Sequence, residues 1–406
     1  MYELVINGKF FYHGEIVEGH IGISDGKILE FSKSALKGEE TIKTGLHEVI
    51  LPGMIDVHVH LRDFNQKHKE TIESGTKAAL HGGITTIFDM PNTNPLIMDK
   101  ETFKKRIAIF KKKAYADYAL SFLLANNCEE AKNVNADFYK IFMGASTGGI
   151  YSKNFENDYK CAPRRVSVHA EDYELIQKFP DRPNIVEVKA IEKALTSAEK
   201  FKKPLHICHV STKEGLSIIL EKNRPWISFE VTPHHLLLTK EDFKHNNMLK
   251  VYPPLRTKDD LHFLWRYIDE IPIIASDHAP HTLEDKESGS AGIPGLETEL
   301  ALLFDAYNRG LLSLNDIVEK TSLNPAKVFG LKNKGFEIGK DADLIIVNLR
   351  EEWKVKPEEF YTKAKWSPWE SKKLKGKVKM TFLRGRLVME EDEIIGKPGG
   401  KRIETS

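Results

Sequence analysis

The sequence predicts an α/β fold, a TIM-like (β/α)₈ barrel joined to a small β module that both chain ends form together. Eight short apolar strands alternate with helical stretches through the middle of the chain, as in barrels of this kind. The β-rich texture of residues 1–50 also returns after residue 340. An open doubly wound sheet is the alternative, but no glycine-rich phosphate loop supports it.

The predicted elements follow in chain order. Residues 4–6 and 21–23 are predicted as short strands, with turns at Asn7-Gly8 and Asp25-Gly26. The eight barrel strands are predicted at residues 51–62, 84–88, 118–124, 137–143, 165–169, 204–210, 227–231 and 271–277. Helices are predicted at residues 68–80, 100–113, 185–200 and 259–268. Late strands are predicted at 343–347 and 380–388, and the lysine-rich residues 363–379 are expected to be a solvated surface segment.

This pattern divides the chain into three parts. Residues 1–50 are the N-terminal part of the β module, residues 51–334 the metal-dependent barrel, and residues 335–406 the C-terminal part of the module. No fixed-period repeat interrupts them.

Composition limits the classes of partner. The chain has 406 residues, with 60 basic and 59 acidic side chains and a net charge of +1, which favours a small-molecule substrate over nucleic acid or a membrane. We expect a cytoplasmic protein, because the first residues do not resemble a signal peptide and no apolar run approaches the ~20 residues that span a bilayer. Cys128, Cys161 and Cys208 form no Cys-x-x-Cys pair, so three reduced thiols are expected.

The first predicted barrel strand carries the first chemical signal. His58 and His60 share one face of the strand with Asp56, and the two histidines stand about 7 Å apart along it, because side chains alternate along a strand. Val57 and Val59 are expected to face covering helices. Two histidines this close can bind one metal ion, although the pair alone is a weak signal.

Further polar residues end later strands. His169 closes the fifth predicted strand, His209 lies at the end of the sixth, and Asp277 ends the eighth. Each alone could be structural. Because the carboxyl ends of all strands meet at one end of a barrel, these side chains are expected to converge with His58 and His60.

Lys140 lies among apolar neighbours on the fourth predicted strand. An unpaired ammonium is costly to bury, so this lysine is paired with a carboxylate, the strand is wrongly placed, or the lysine is chemically altered. Reaction with CO₂ would convert it into an anion whose two oxygens can bridge two metal ions.

Together these residues resemble the binuclear metal centre of the amidohydrolase superfamily. Within that superfamily, five motifs are similar to those of the dihydroorotase family, and the resemblance covers roughly residues 51–330 in order. The motifs are His60-Leu61-Arg62, Met90-Pro91-Asn92-Thr93-Asn94-Pro95, Cys208-His209-Val210-Ser211-Thr212-Lys213-Glu214, Glu230-Val231-Thr232-Pro233-His234-His235 and Ser276-Asp277-His278-Ala279-Pro280-His281.

The resemblance implies an enzyme that interconverts N-carbamoyl-L-aspartate and (S)-dihydroorotate in pyrimidine biosynthesis. It implies Asp277 as general base and two Zn²⁺ per subunit, held by His58, His60, carboxylated Lys140, His169, His209 and Asp277. It also implies substrate contacts from His60, Arg62, Asn92, His281, Ala291 and Gly292. The oligomeric state stays open, with a homo-oligomer as one option.

The chain departs from the family pattern at three places. Asp63-Phe64-Asn65 stands where many relatives have Glu-Pro-Gly, Tyr252 where asparagine often precedes Pro-Pro-Leu-Arg, and Ala291 where the loop that covers the substrate often has a larger residue. Some dihydroorotases bridge their metals through an aspartate, but the Tyr139-Lys140-Ile141-Phe142 context favours the lysine type.

Two other functions remain open. A hydantoinase or allantoinase would share the metal site, but Arg62 and His281 argue against it because those substrates lack the same carboxylate. A non-catalytic binding scaffold should have lost metal ligands, whereas all six are present.

Overall fold

The computed structural model describes residues 1–145, 149–222 and 224–405. Five strands precede the barrel: β1 (Tyr2–Tyr12), β2 (Glu15–Ser24), β3 (Lys27–Ser32), β4 (Gly38–Lys43) and β5 (Glu48–Pro52). The barrel strands are β6 (Met54–Val59), β7 (Ile84–Asp89), β8 (Asp117–Leu123), β9 (Phe138–Phe142), β10 (Val166–His169), β11 (Leu205–Ile207), β12 (Ile227–Val231) and β13 (Ile273–Ile274). Four strands follow the barrel: β14 (Leu344–Lys354), β15 (Lys373–Leu383), β16 (Arg386–Glu390) and β17 (Glu393–Ile394).

Helices connect the barrel strands and continue beyond them. They are α1 (Ile72–His81), α2 (Lys100–Lys113), α3 (Cys128–Lys132), α4 (Phe155–Cys161), α5 (Tyr173–Lys178), α6 (Asn184–Phe201), α7 (Lys213–Glu221), α8 (Pro233–Leu237), α9 (Lys240–His245), α10 (Lys258–Arg266), α11 (Leu283–Glu287), α12 (Glu299–Asn308), α13 (Leu314–Val318) and α14 (Asn324–Val328). Within the described ranges, none of them is both long and apolar enough to cross a membrane.

The eight barrel strands form one parallel sheet in sequence order from β6 to β13. The barrel closes at the carboxyl end, where Val59 bridges His278 and the N–H of His60 donates to the carbonyl of His278 at 2.8 Å. The predicted (β/α)₈ architecture is confirmed, and its carboxyl end gathers the strand-end side chains of interest.

The second sheet has the strand order β17-β16-β15-β14-β5-β1-β2-β3, and β4 pairs with β1. Its central joint is the antiparallel pairing of β14 with β5, in the register Leu344↔Pro52. The prediction that both chain ends form one β module is therefore confirmed. The division of the chain at residues 50 and 334 stays a proposal.

Two local predictions in the β module and at its border are wrong. β1 runs straight through Asn7-Gly8, because these residues pair with His20 and Gly19 of β2, so the cross-strand register overrides the local turn signal. The predicted first barrel strand is two strands, since Leu51 pairs with β14 in the module sheet and β6 begins only at Met54.

The predicted alternation along β6 is also interrupted. Val59 packs in the large core cluster that includes Ile72 and Ala79 of α1, whereas Val57 packs in a smaller cluster with Phe88. The register shifts between Asp56 and Val59. Such a bulge redirects side chains next to a site, which simple period-two alternation does not anticipate.

The lysine-rich residues 363–379 are not simply a solvated surface, as the sequence suggested. Trp366 and Trp369 in this segment are buried. The indole of Trp366 donates to the carbonyl of His281 at 2.8 Å. Composition alone misses this, because lysines can keep their charged ends in water while aromatic neighbours are buried.

The expectation of three reduced thiols is wrong as well. Cys128 at the start of α3 and Cys161 at the end of α4 form a disulfide, while Cys208 is a free, buried thiol. The two bonded cysteines lie 33 residues apart in the sequence, and their proximity arises only from the packing of the two helices.

Candidate metal and substrate site

Two histidines from the carboxyl end of β6 begin the site. His58 and His60 are 1% and 7% exposed, and their ring centroids lie 5.3 Å apart. Oδ1 of Asp277 lies 3.4 Å from Nε2 of His58 and 3.1 Å from Nε2 of His60. The barrel closure between β6 and the segment after β13 therefore brings a carboxylate against both imidazoles.

The histidines of β10 and of the loop after β11 complete the cluster. Nδ1 of His169 lies 2.9 Å from Nε2 of His209, and the ring of His209 lies 5.2 Å from that of His58. Ligand atoms of His58, His209 and Asp277 all lie within 4.8 Å of one another. The structure thus brings the predicted ligand residues together at one end of the barrel.

Lys140 is fully buried on β9 and points into the same cluster. Its Nζ lies 3.5 Å from Nε2 of His58 and 3.0 Å from Sγ of Cys208. Among the described residues, no carboxylate forms an ion pair with Lys140. The predicted alternative of a lysine paired with a carboxylate therefore gains no support from the described contacts.

Two buried glutamates hold the outer nitrogens of the histidines. Glu230 bonds Nδ1 of His58 and also Nε2 of His206, the latter at 2.8 Å. Glu171 bonds Nε2 of His169 at 2.8 Å. These contacts leave Nε2 of His58 and Nδ1 of His169 facing the cluster. Carboxylates that bond the outer nitrogen of a histidine orient metal-binding imidazoles in many proteins.

Sequence reasoning gave no role to either glutamate. Glu171 follows His169 by two residues, and Glu230 opens one of the family-like motifs. A strand-end histidine with a nearby acidic residue was the available signal, but only the structure shows which nitrogen each carboxylate meets.

The protonation states of His60, His209 and Asp277 suit metal binding. Burial lowers the pKa of His60 to about 3 and that of His209 well below its usual range. Burial raises the pKa of Asp277, but the neighbouring His58 and His60 outweigh it and hold this pKa well below its ordinary value. Neutral imidazoles and an ionised carboxylate are the forms that bind cations. For His58, burial and Lys140 lower the pKa, but Asp277 and Glu230 outweigh them and raise it to about 10, so this ring must release a proton when it binds a metal ion.

Three functional candidates share an unusual backbone conformation. Arg62, His209 and Asp277 have φ angles of 49°, 41° and 45°, in the left-handed region that L-residues other than glycine rarely adopt. Such strain concentrates at functional sites, where the surrounding structure must stabilise it.

A small cavity opens beside the cluster. His58, His60, His169, His209 and Asp277 line one part of it, and Arg62, Asn92, Phe142, Tyr252, Ala279, Ala291 and Gly292 line the rest. Most of the predicted substrate contacts therefore lie where a small molecule could reach the metal-binding side chains. His281 does not line the cavity, but its Nε2 lies 3.3 Å from Nη2 of Arg62.

Tyr252, one of the departures from the family pattern, forms part of the cavity wall. Its ring lies 3.5 Å from the guanidinium carbon of Arg182. Arg182 also bonds Glu171 and donates to the carbonyl of Ala145 at 2.7 Å. The tyrosine is thus fixed by a cation–π contact to the same arginine that orients the partner of His169.

The barrel and the polar side chains at its strand ends place the chain in a class of hydrolytic enzymes, the amidohydrolases. Membership of this family implies a metal cofactor and a small-molecule substrate. The amidohydrolase family model matches residues 260–388. A dihydro-orotase-like model matches residues 47–141, which include His58, His60 and Lys140.

Curated relatives then identify the family. The chain is 66% identical over 401 residues to a dihydroorotase of Pyrococcus abyssi, covering 99% of this chain and 98% of that protein. It is 37% identical over 418 residues to a dihydroorotase of Archaeoglobus fulgidus, covering 98% and 100%. The chain belongs to the dihydroorotase family.

Solved structures of similar shape come from neighbouring amidohydrolases. An L-hydantoinase (dihydropyrimidinase) from Arthrobacter aurescens superposes with a TM-score of 0.94 at 28% identity and covers both chains completely. A D-hydantoinase superposes with a TM-score of 0.89 at 27% identity. The fold is therefore shared with hydantoinases. The residues that line the cavity, rather than the fold, must distinguish one substrate from another.

Proposed function

We propose that this enzyme catalyses the reversible cyclisation of N-carbamoyl-L-aspartate to (S)-dihydroorotate, the ring-closing step of pyrimidine biosynthesis. Dihydroorotases that match it over nearly their full length support this reaction. The near balance of 60 basic and 59 acidic residues gives no reason to propose a nucleic-acid or membrane partner. The cytoplasm is the proposed location, because the curated relatives are metabolic enzymes.

The observation that carries the proposal is the environment of Arg62. Its side chain is 1% exposed, and its Nη1 makes no hydrogen bond within the described residues. A buried polar group without a partner costs about 1–3 kcal/mol, so this guanidinium suits an anionic ligand. Dihydroorotate carries a carboxylate on its ring, whereas hydantoin and allantoin do not.

The donor set fits a pair of metal ions. We propose two Zn²⁺ held by His58, His60, Lys140, His169, His209 and Asp277. When bound, such ions supply a water of lowered pKa as nucleophile and polarise the ring amide carbonyl.

Asp277 is proposed to move the proton. During hydrolysis, hydroxide adds to the ring amide carbon, the ring C–N bond breaks, and the departing nitrogen must gain a proton. Asp277 begins as a carboxylate because its pKa is held well below the usual range. It takes the proton of the attacking hydroxide and delivers it to the nitrogen, and the same steps run in reverse during synthesis.

The remaining contacts orient the substrate. Nδ1 of His60 lies 2.6 Å from Oδ1 of Asn92. With Nε2 given to a metal ion, the single hydrogen of the neutral ring would be on Nδ1, which would donate to this oxygen. This bond turns the NH₂ group of Asn92 away from His60 and leaves it to donate to a ligand oxygen. Ala291 and Gly292 line part of the cavity. Because both residues are small, they suit contact with the substrate through the backbone rather than through a side chain.

Carboxylation of Lys140 completes the proposed site. A fully buried ammonium beside His58 would repel the cations. A carbamate on Nζ reverses that charge and offers two oxygens. The absence of an ion-paired carboxylate among the described residues supports this modification over a plain buried lysine.

Substrate turnover tests the proposal against its main alternative. Because the superposed structures include hydantoinases, the zinc-loaded enzyme should be assayed with dihydroorotate, hydantoin and allantoin, and with N-carbamoyl-L-aspartate in the synthetic direction. We expect dihydroorotate and N-carbamoyl-L-aspartate to be interconverted at least ~100-fold more efficiently than the other rings react. Preference for hydantoin or allantoin would overturn the proposal, and no turnover of any ring would favour the binding scaffold.

A further inference from the structure

Lys69, which precedes α1, contacts a histidine at the edge of the site. Its Nζ lies 3.2 Å from Nδ1 of His281 and 3.0 Å from Oδ1 of Asp285. A lysine ammonium has three donors and no acceptor. Nδ1 of His281 can therefore bond Lys69 only as an acceptor, without a hydrogen of its own.

The other ring nitrogen faces a second cation. Nε2 of His281 lies 3.3 Å from Nη2 of Arg62, whose guanidinium also has donors only. Burial, together with Arg62 and Lys69, lowers the pKa of His281 to about 2, so the ring is neutral. A neutral imidazole has one N–H and one acceptor, and it cannot accept from both cations at once.

We propose that Lys69 is a positioning residue that holds His281 in its Nε2–H tautomer, so that His281 and Arg62 together present donors to the carboxylate of the substrate. This inference rests on the proposed function. With Nδ1 committed to Lys69, the Nε2–H and the guanidinium of Arg62 point at each other, and an anion between them would satisfy both. The unpartnered Nη1 of Arg62 indicates the same need for an acceptor.

The surroundings keep this geometry rigid. Asp285 lies in the first turn of α11, where its carboxylate and the side chain of Thr282 cap the helix reciprocally. The carbonyl of His281 accepts from the indole of Trp366 at 2.8 Å. Both partners of the His281–Lys69 contact are thus held by separate elements, so Lys69 can select a tautomer rather than merely follow the ring.

The tautomer can be measured without substrate. ¹⁵N spectra of the full-length, zinc-loaded enzyme with labelled histidine distinguish a protonated from an unprotonated ring nitrogen, and the spectrum of His281→Gln assigns the signal. We expect Nε2 of His281 to carry the hydrogen in the parent enzyme. In Lys69→Met the hydrogen should shift, at least in part, to Nδ1. An Nδ1–H signal in the parent enzyme, or an unchanged signal in Lys69→Met, overturns the inference.

Kinetics give a second, independent readout. Lys69→Met should raise KM for dihydroorotate roughly tenfold with a smaller effect on kcat, and Lys69→Arg, which keeps a donor, should recover part of the loss. Lys67→Met makes the same substitution at an exposed lysine two positions earlier and should leave KM unchanged. Equal KM values for Lys69→Met and the parent would contradict the inference. A parent enzyme that does not turn over dihydroorotate would refute the proposed function instead. The ¹⁵N spectra would still test, independently of turnover, whether Lys69 sets the tautomer of His281.

Discussion

Oδ1 of Asp277 lies 3.1 Å from Nε2 of His60, although 217 residues separate them in the chain. The contact exists because the barrel closes between β6 and the segment after β13, where the N–H of His60 donates to the carbonyl of His278. Closure of the barrel and assembly of the site are therefore one structural event.

Replacing Asp277 tests its double role. Asp277→Asn should lower kcat by ~10²–10⁴-fold in both directions, because the amide cannot accept the proton. Zinc content should also fall, since the amide is a weaker ligand. Asp259→Asn, at an exposed position in the first turn of α10, is the control and should keep full activity. Substantial turnover by Asp277→Asn would mean that another group is the base.

Removing Arg62 tests the carboxylate contact. Arg62→Ala should lower kcat/KM for dihydroorotate by about tenfold to a hundredfold, in line with the ~1.5–3 kcal/mol typical of a charge-assisted hydrogen bond. Zinc content, measured by elemental analysis, should stay the same because Arg62 binds no metal. Arg350→Ala removes an exposed arginine and should change neither quantity. An unchanged kcat/KM in Arg62→Ala would show that the substrate carboxylate binds elsewhere.

Lys140 permits a chemical rescue experiment. Lys140→Ala should lose most metal and activity, because the bridging anion is gone. A short carboxylic acid added to the solution should restore part of both, while its uncharged amide should not. The intact enzyme should also show the mass of one added CO₂ under native conditions, and acid should release it. A metal-loaded, active enzyme with a free Lys140 amine would refute carboxylation.

Glu230 tests the support behind His58. Burial raises its pKa, but His58 and His206 outweigh burial and lower this pKa to about 2, so Glu230 accepts from both rings as an anion. Glu230→Gln should weaken zinc binding by roughly 10–100-fold in a chelator competition. Glu241→Gln, at an exposed residue of α9, is the matched control. Equal affinities for the two variants would show that Glu230 only fills space.

The ionisation of His81, on α1, should make the free energy of unfolding depend on pH. Burial lowers its pKa, but hydrogen bonds to Asp392 and Glu297 raise it to about 9. The raised pKa stabilises the fold by ~3 kcal/mol. This contribution is complete below pH ~6.5, the pKa in the unfolded chain, and is lost as the pH rises through about 9.

Urea unfolding measures this effect. The free energy of unfolding of the parent should exceed that of His81→Gln at pH 6, and the difference should shrink toward zero at pH 10. A difference that stays constant between these two pH values would show that His81 contributes through packing and not through its charge.

The local sequence pattern was sufficient to predict the barrel and to name candidate metal ligands. Apolar strands recur with helices between them, and a polar residue ends many of them, so His58, His169 and Asp277 could be named before their neighbours were known. Helix α2 has its predicted bounds, and in the structure the side chain of Asp99 caps its first turn by accepting from the N–H of Thr102, a kind of signal that local sequence carries.

The sequence alone could not decide which distant groups meet. The bonds of Glu230 to His58 and of Lys69 to His281 join residues 172 and 212 positions apart, and the Cys128–Cys161 disulfide depends on the packing of two helices. The same applies to the run of β1 through Asn7-Gly8, which cross-strand pairing decides. Residue type and spacing determine what a side chain can do, whereas packing of remote elements determines which partner, tautomer and charge it has.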